Sequence, residues 1–374
     1  IVLFNIYAKT LNNLINETFN EFFRTTVCSS EFTLVPSAND WELLYQIANA
    51  HAILGIGFYG IQKLRKDSPN IVENLPIGLK MKWLGMSAMV QKQNERMNQR
   101  CAELHDYMAE IGLKSCVLKG QGVALLYPKS LCNLRHCGDI DLWVDGKRDD
   151  VVNYIRSKGI KVYDVHLVHA TAEFFKDVPV EIHFRPSWMY NPFLDRKLQA
   201  FFASQASEQF AHYDETVGFA YPTIFFNLVH SMVHTNRHIF EEGVGLRQLM
   251  DYYFILKHST VEERVEAYKV LCDIGLKKFV GAVMYVMQQV FLLEEDLILC
   301  RPNSILGSRL LDSIMAGGNF GKAFGLKHGR NKLEKGLLQL KHNLRLMLPY
   351  ANEAMWIPFF QVWHYVWRKK HGYL

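Results

Sequence analysis

At residues 138–144 the chain reads Gly138-Asp139-Ile140-Asp141-Leu142-Trp143-Val144. Alternate side chains of a β-strand point to opposite faces. Asp139 and Asp141 therefore share one face, while Ile140, Leu142 and Val144 share an apolar face that can bury in a core. Two carboxylates side by side repel each other, and a cation between them relieves the repulsion. Hard oxygen ligands of this kind suit Mg²⁺ or Mn²⁺. A second run, Val180-Glu181-Ile182-His183-Phe184-Arg185, alternates as cleanly. If it pairs beside the first, Glu181 becomes a third carboxylate at the same place. Three carboxylates can hold two metal ions about 3.5–4 Å apart. Periodicity permits that pairing without requiring it, and an isolated Asp-x-Asp is more often an exposed strand face than a metal site.

Working outward, Cys116-Val117-Leu118 is a short apolar run that enters a turn at Lys119-Gly120. Such a strand-to-helix turn can present backbone N–H groups to phosphate, helped by the adjoining helix N-terminus. Lys119 adds a charge, and glycines at 120 and 122 allow close approach of a ligand. Arg135 can reach the same phosphates. A short helix over Gly122–Tyr127 is stopped by Pro128, a helix over Lys147–Ser157 ends at Gly159, and Lys161–Phe175 holds one or two strands. Strands are expected over Asp139–Val144 and Val178–Arg185. Together these make a mixed αβ unit.

Both flanks carry the helical period of three and four. Upstream, helices are expected over Trp41–Leu64 and Lys80–Ile111, broken by the proline-containing Lys66–Ile77, with Asn39 or Asp40 as the first cap. Downstream, helices are expected over Asp195–Phe210, Ile224–Arg237, Leu246–His258, Val261–Ile274, Phe279–Leu293, Leu333–Leu348 and Trp356–Lys370. Arg301–Gly329, rich in Gly and Ser, is expected as a loop with one helical turn. The divisions are a helical region over residues 1–111, an αβ core over 112–190 and a helical region over 191–374.

Of 374 residues, 49% are hydrophobic and 21% charged, an ordinary globular balance, and the formal charge is +5. That mild excess suits an anionic ligand, but the basic residues form no dense block of the kind nucleic-acid binders show. The seven cysteines are irregularly spaced and include no CxxC pair. Reduced thiols and a cytoplasmic location are therefore expected. No secretory leader is evident, and no apolar run reaches the ~18 residues of a membrane span.

In their order, Leu118-Lys119-Gly120, Arg135, the 138–144 strand and Val180-Glu181-Ile182-His183-Phe184-Arg185 resemble the uncharacterised bacterial nucleotidyltransferase-like family of the polymerase-β superfamily. The resemblance covers roughly residues 35–260 and is most specific at 116–186. It implies an α+β fold, with a small mixed sheet between an N-terminal helical segment and a C-terminal helical region. It further implies that Asp139, Asp141 and Glu181 are the catalytic metal ligands, with Mg²⁺ or Mn²⁺ as cofactor. Lys119 and Gly120 would form the phosphate turn, in the Lys-Gly form of this subfamily where the wider superfamily has Gly-Ser. With Arg135, Gly138, His183 and Arg247 they are the candidates for nucleotide contact. The implied reaction moves an NMP from an NTP, ATP being the expected donor, to an acceptor hydroxyl on a small molecule, protein or RNA. The alternatives are a non-catalytic nucleotide-binding module and a toxin-type enzyme acting on tRNA or protein.

Other residues carry weaker signals. His166 and His169 precede the Glu181 strand and read mainly as structural. His230 and His234 share a helix face but lack the HExxH pattern of a metalloprotease; His234 and Arg237 can border the nucleotide pocket. Arg247 and Asp251 are spaced to pair with each other. The aromatic helix Trp356–Trp367, with Arg368-Lys369-Lys370-His371 after it, reads as a packing helix with a basic end.

Overall fold

The computed structural model describes residues 17–28, 30–241, 243–319 and 349–373. Among the described residues, three α-helices precede the long one that reaches the sheet: α1 (residues 17–27), α2 (Ala38–Ala50) and α3 (Leu54–Asp67). The expected Trp41–Leu64 helix is thus two helices. Ala52, at φ 56°, breaks it, and the break carries His51 into the core, where its Nδ1 accepts from the Leu246 amide at 3.2 Å. The first cap is Ser37 rather than Asn39 or Asp40. Ser37 and Asp40 form a reciprocal capping box, which satisfies otherwise orphaned N–H donors. The fourth helix, α4 (Ile77–Glu110), runs to the first strand.

The αβ unit comes next, as β1 (Ser115–Leu118), α5 (Gly120–Ala124), β2 (Ile140–Val144), α6 (Arg148–Ser157), β3 (Val162–Tyr163), β4 (His169–Ala172) and β5 (Val180–His183). The strands form one sheet in the order β1-β2-β5-β4-β3. β2 and β5 are parallel neighbours with Asp141 opposite Glu181 and Trp143 opposite His183. β1 and β4 are antiparallel to them. The strand alternation sorts the sheet into two faces. Ile140, Leu142, Val144, Val180 and Ile182 bury against α4 and α6, in a core with Met97, Cys101, Leu104 and Val152.

The second face is covered by α7 (Pro192–Ala211), α8 (Ile224–Glu241) and α9 (Leu246–His258); between α7 and α8 a hairpin of β6 (Tyr213–Asp214) and β7 (Phe219–Ala220) packs beside β1 against α4, with Phe219 in the first core. On the second face Trp143 packs on Phe210 and Phe226 at ring distances of 4.6 and 5.7 Å. β2 is therefore buried on both faces, and its carboxylate, Asp141, lies inside the molecule instead of on an open strand surface. Among the described residues the remaining α-helices are α10 (Val261–Asp273), α11 (Lys277–Phe291), α12 (Ser304–Gly317), α13 (Ala351–Ala354) and α14 (Ile357–Lys370). The largest core runs from Phe19 through Trp41 and Trp83 to Phe226, Tyr252 and Phe291, so helices from both ends of the chain share it.

The architecture is the expected α+β, a small mixed sheet between helices. A further local expectation fails. Residues 304–317 are a helix, not a loop, because Asn303 caps the Leu306 amide and Gly307 seats the Tyr285 ring, which a Cβ would meet at 2.4 Å. α14 is the expected packing helix with a basic end: it packs through Ile357 and ends in Arg368, Lys369 and Lys370, while Phe359, Val362, Trp363 and Val366 are exposed. The expected helix over Leu333–Leu348 lies outside the described residues. Among the described residues no helix is long and apolar enough to cross a membrane.

Candidate functional site

Asp141 sits in the middle of the sheet and is 6% exposed. Its Oδ1 accepts from Lys119 Nζ at 2.8 Å and from His183 Nε2 at 2.8 Å. These two donors come from the turn after β1 and the end of β5, the strands on either side. Burial alone disfavours the ionised carboxyl, but Lys119 and His183 outweigh it and hold Asp141 well below the usual carboxylate range. Asp139, at the entry to β2, behaves oppositely. The Asp141 charge, and then burial, push its pKa up to about 6. Glu181 completes the group: carboxylate oxygens of Asp139, Asp141 and Glu181 lie within 4.8 Å of one another. Three oxygen donors whose mutual repulsion raises one pKa form a set that suits a hard divalent cation.

Glu181 is flanked by imidazoles. Its Oε2 is 3.5 Å from His183 Nε2 and 4.0 Å from His169 Nε2. Burial works against its ionisation, and the two histidines lower its pKa on balance. His183 is 3% exposed, and its pKa is raised because Asp141 and Glu181 outweigh the effect of burial.

These groups line a cavity of about 350 Å³ between the sheet and helices α8 and α9. Lys119, Gly120, Arg135, Gly138, Asp139, Asp141, Glu181, His183 and Arg247 all lie on its wall. Arg135 is not a free cation there. It is 4% exposed and forms a bidentate pair with Asp251, Nε–Oδ1 2.6 Å and Nη2–Oδ2 2.7 Å, which the Tyr127 hydroxyl joins at 2.6 Å. Asp251 is thus engaged by a distant arginine as well as lying one helical turn from Arg247, whose Nη1 donates to the His136 carbonyl at 2.9 Å. The turn at Lys119 is conformationally unusual: Lys119 has φ 51° and Gly120 φ 36°. For a residue with a Cβ this region is sparsely populated and is kept only where the surroundings hold it. Helix α5 is five residues long, so its dipole adds little. Gly122 serves packing and not ligand approach, since a Cβ there would meet Tyr221 and the Val117 carbonyl at 2.9 Å.

His230 points away from the cavity and donates through Nε2 to the Pro186 carbonyl at 3.1 Å. His234 and Arg237 do line it. Arg237 stacks on Trp188 at 3.6 Å from the ring centroid and pairs with Glu241 at 3.3 Å. His234 shares an Nε2···Nε2 hydrogen bond of 2.9 Å with His238, and burial holds both well below the ordinary histidine pKa. Trp188, Thr235, His238, Glu241 and Gln248 join the wall although nothing in the sequence singles them out at once. A signal exists for two of them. His238 continues the four-residue spacing of His230 and His234, and Glu241 lies one turn after Arg237 on the same helix face.

Residues 37–292 match the model of a family described as uncharacterised nucleotidyltransferases. That is more than half of the 374 residues, and the chain belongs to this family. The match begins at the Ser37 cap of α2 and ends at Leu292, the left-handed residue that closes α11. It therefore takes in the sheet and both helices that face the cavity, and it reaches beyond the 35–260 span expected from the motifs. No curated protein and no solved structure matches the chain.

Proposed function

We propose that the chain transfers a nucleotidyl group from an NTP to an acceptor hydroxyl, on the bacterial polymerase-β plan, with Asp139, Asp141 and Glu181 as ligands of Mg²⁺ or Mn²⁺. The observation that carries this reading is the convergence of three carboxylates from adjacent strands on a cavity whose facing wall carries Arg237 and Arg247. When bound, the divalent ion supplies charge neutralisation for the triphosphate and for the oxygens that exchange bonds at phosphorus. The chain's own residues do the rest. Lys119, whose ammonium rests on Asp141, is the charge placed to turn toward a phosphate once a cation takes over that carboxylate. Arg237 and Arg247 add positive charge to the wall, as a triphosphate requires. Arg135 acts indirectly, holding Asp251 and Tyr127 in place.

In the proposed reaction the acceptor oxygen bonds to the α-phosphorus, the bond to the β-phosphate bridge breaks, and pyrophosphate leaves. The acceptor's proton goes to Glu181, whose ionised form the hydrogen bond from His183 favours. ATP is the donor to try first. The seven free thiols agree with a reducing compartment such as the cytoplasm.

The test is transfer of α-labelled NTPs in Mg²⁺ or Mn²⁺ to pools of RNA, protein and small-molecule hydroxyl compounds. Label should move only with the divalent ion present. Asp139→Asn and Asp141→Asn should each slow it by about 10²–10³ or more, the usual loss when a transition-state charge stabiliser is removed. Variants as active as the parent would overturn the site. NTP binding with no transfer to any pool would reduce the chain to a nucleotide-binding module.

A further inference from the structure

Beside the carboxylates lies a second group of donors of different chemistry. His169 on β4 and His183 on β5 are cross-strand partners, and Glu181 sits two residues before His183 on the same face. One donor atom from each of His169, Glu181 and His183 lies within 4.8 Å of the other two. We propose that His169, Glu181 and His183 form a second cation position, one for a borderline transition ion such as Zn²⁺, Mn²⁺ or Co²⁺ and distinct in preference from the all-oxygen position of the carboxylates. The proposal rests on the nucleotidyltransferase reading only for its biological use, not for the binding itself.

Two observations support it. The first is chemical. Two imidazoles and one carboxylate are the donor set that divalent transition ions prefer, whereas Mg²⁺ favours oxygen alone. The second is metric. Metal–ligand bonds of about 2.0–2.2 Å in tetrahedral array separate neighbouring ligand atoms by about 3.3–3.5 Å. His183 Nε2 and Glu181 Oε2 already stand 3.5 Å apart. His169 Nε2, at 4.0 Å from the same oxygen, needs to close by only about 0.5–0.7 Å to reach that spacing.

The position also has access. His169 lines both the carboxylate cavity and a neighbouring one of about 410 Å³, whose walls include Trp188, Tyr190 and His364. An ion held there stands where the two spaces meet.

The experiment uses Co²⁺ as a coloured probe on the whole chain, reading visible d–d absorption, which strengthens when the ion passes from six-coordinate in water to a protein site of lower coordination. The parent protein should develop a band that saturates at one equivalent. His169→Ala should weaken Co²⁺ binding by at least the 10–100-fold that even an outer-shell partner is worth. His169→Gln, closer in volume, serves as the second variant, and both should retain the parent's melting profile because His169 stands on the cavity wall. Asp139→Asn should leave the band within about threefold of the parent. Three results would overturn the proposal: no band, a band indifferent to both His169 variants, or one lost equally in Asp139→Asn, which would put the ion among the carboxylates. Failure of the transfer reading looks different, because label transfer would be absent while the band behaves as expected.

Discussion

Arg135 shows how far a single residue can be read in advance. Its basic side chain ahead of the Asp139 strand suggests a phosphate contact, and it does reach the cavity wall. What the sequence does not reveal is its partner, because Asp251 lies on a helix 116 residues later. Pair formation across such a distance depends on packing, not on local period. The pair has a measurable consequence. Removing one partner of a buried ion pair leaves an uncompensated charge and costs about 3–5 kcal/mol. Asp251→Leu should therefore lower unfolding free energy by that amount in denaturant titrations. Arg135→Met combined with Asp251→Leu should recover all but the ~1–3 kcal/mol of the Tyr127 hydroxyl, which loses its acceptor. If the double variant is no more stable than the single, the pair is not the reason for the loss.

Glu353 makes the corresponding case for pH. It is 4% exposed in α13, and its Oε2 accepts from the Tyr190 amide at 2.8 Å. Burial outweighs that bond and raises its pKa from 4.5 to about 8. Between those values the folded chain keeps a proton that the unfolded chain has released. The stability contributed is whole below pH 4.5, declines as pH rises, and is gone above about 8, at up to ~1.4 kcal/mol per pH unit. Thermal melts from pH 5 to 8 should show the parent losing ground steadily to Glu353→Gln. Parallel curves would mean that the carboxyl is ionised in the folded protein.

At the scale of elements the sequence is most legible where period and capping agree. The expected Leu246–His258 helix is present with those bounds, and the β2 and β5 strands lie where their alternation puts them. Periodicity makes the β2–β5 pairing conditional, and the register supplies the condition. Legibility falls where glycine is used for contact instead of for a turn. The Gly and Ser content that reads as a loop at 304–317 belongs to a helix whose Gly307 admits a tyrosine ring. Helix α3 uses the same device. A Cβ at Gly55 would come within 2.5 Å of the Leu134 carbonyl, one residue before Arg135. Gly55→Ala gains helix propensity but forces backbone apart, and overpacking of this kind costs about 1–3 kcal/mol. Denaturant unfolding should register that loss. A stabilised Gly55→Ala would mean that α3 and the 132–134 turn are less closely packed.

Over the whole molecule, the two sides of the cavity come from parts of the chain with different logic. One wall is a sheet whose residues announce themselves by alternation and by family resemblance. The opposite wall is helical: Thr235, His238 and Gln248 are ordinary helix residues until the fold brings α8 and α9 over the sheet, which is why the sequence alone does not assemble them. The covering helices belong to the core that also takes in α1 to α3, so the cavity joins a sheet unit to a helical body that draws on both ends of the chain. A ligand spanning that junction must order both. A ligand that binds only the folded state stabilises it by RT ln(1 + [L]/Kd), about 2.7 kcal/mol at a hundred times Kd. The stabilisation should be distributed according to the walls the ligand touches. Hydrogen exchange with Mg²⁺ and a non-hydrolysable NTP should therefore slow amides in two separate stretches, the Lys119 turn through β2 and the facing turns of α8 and α9. Protection confined to the sheet would mean that the nucleotide lies on one wall and that the helical side serves another ligand. Protection confined to the helices would detach the nucleotide from the carboxylates altogether, and with it the reason for placing Asp139, Asp141 and Glu181 at the centre of the chemistry.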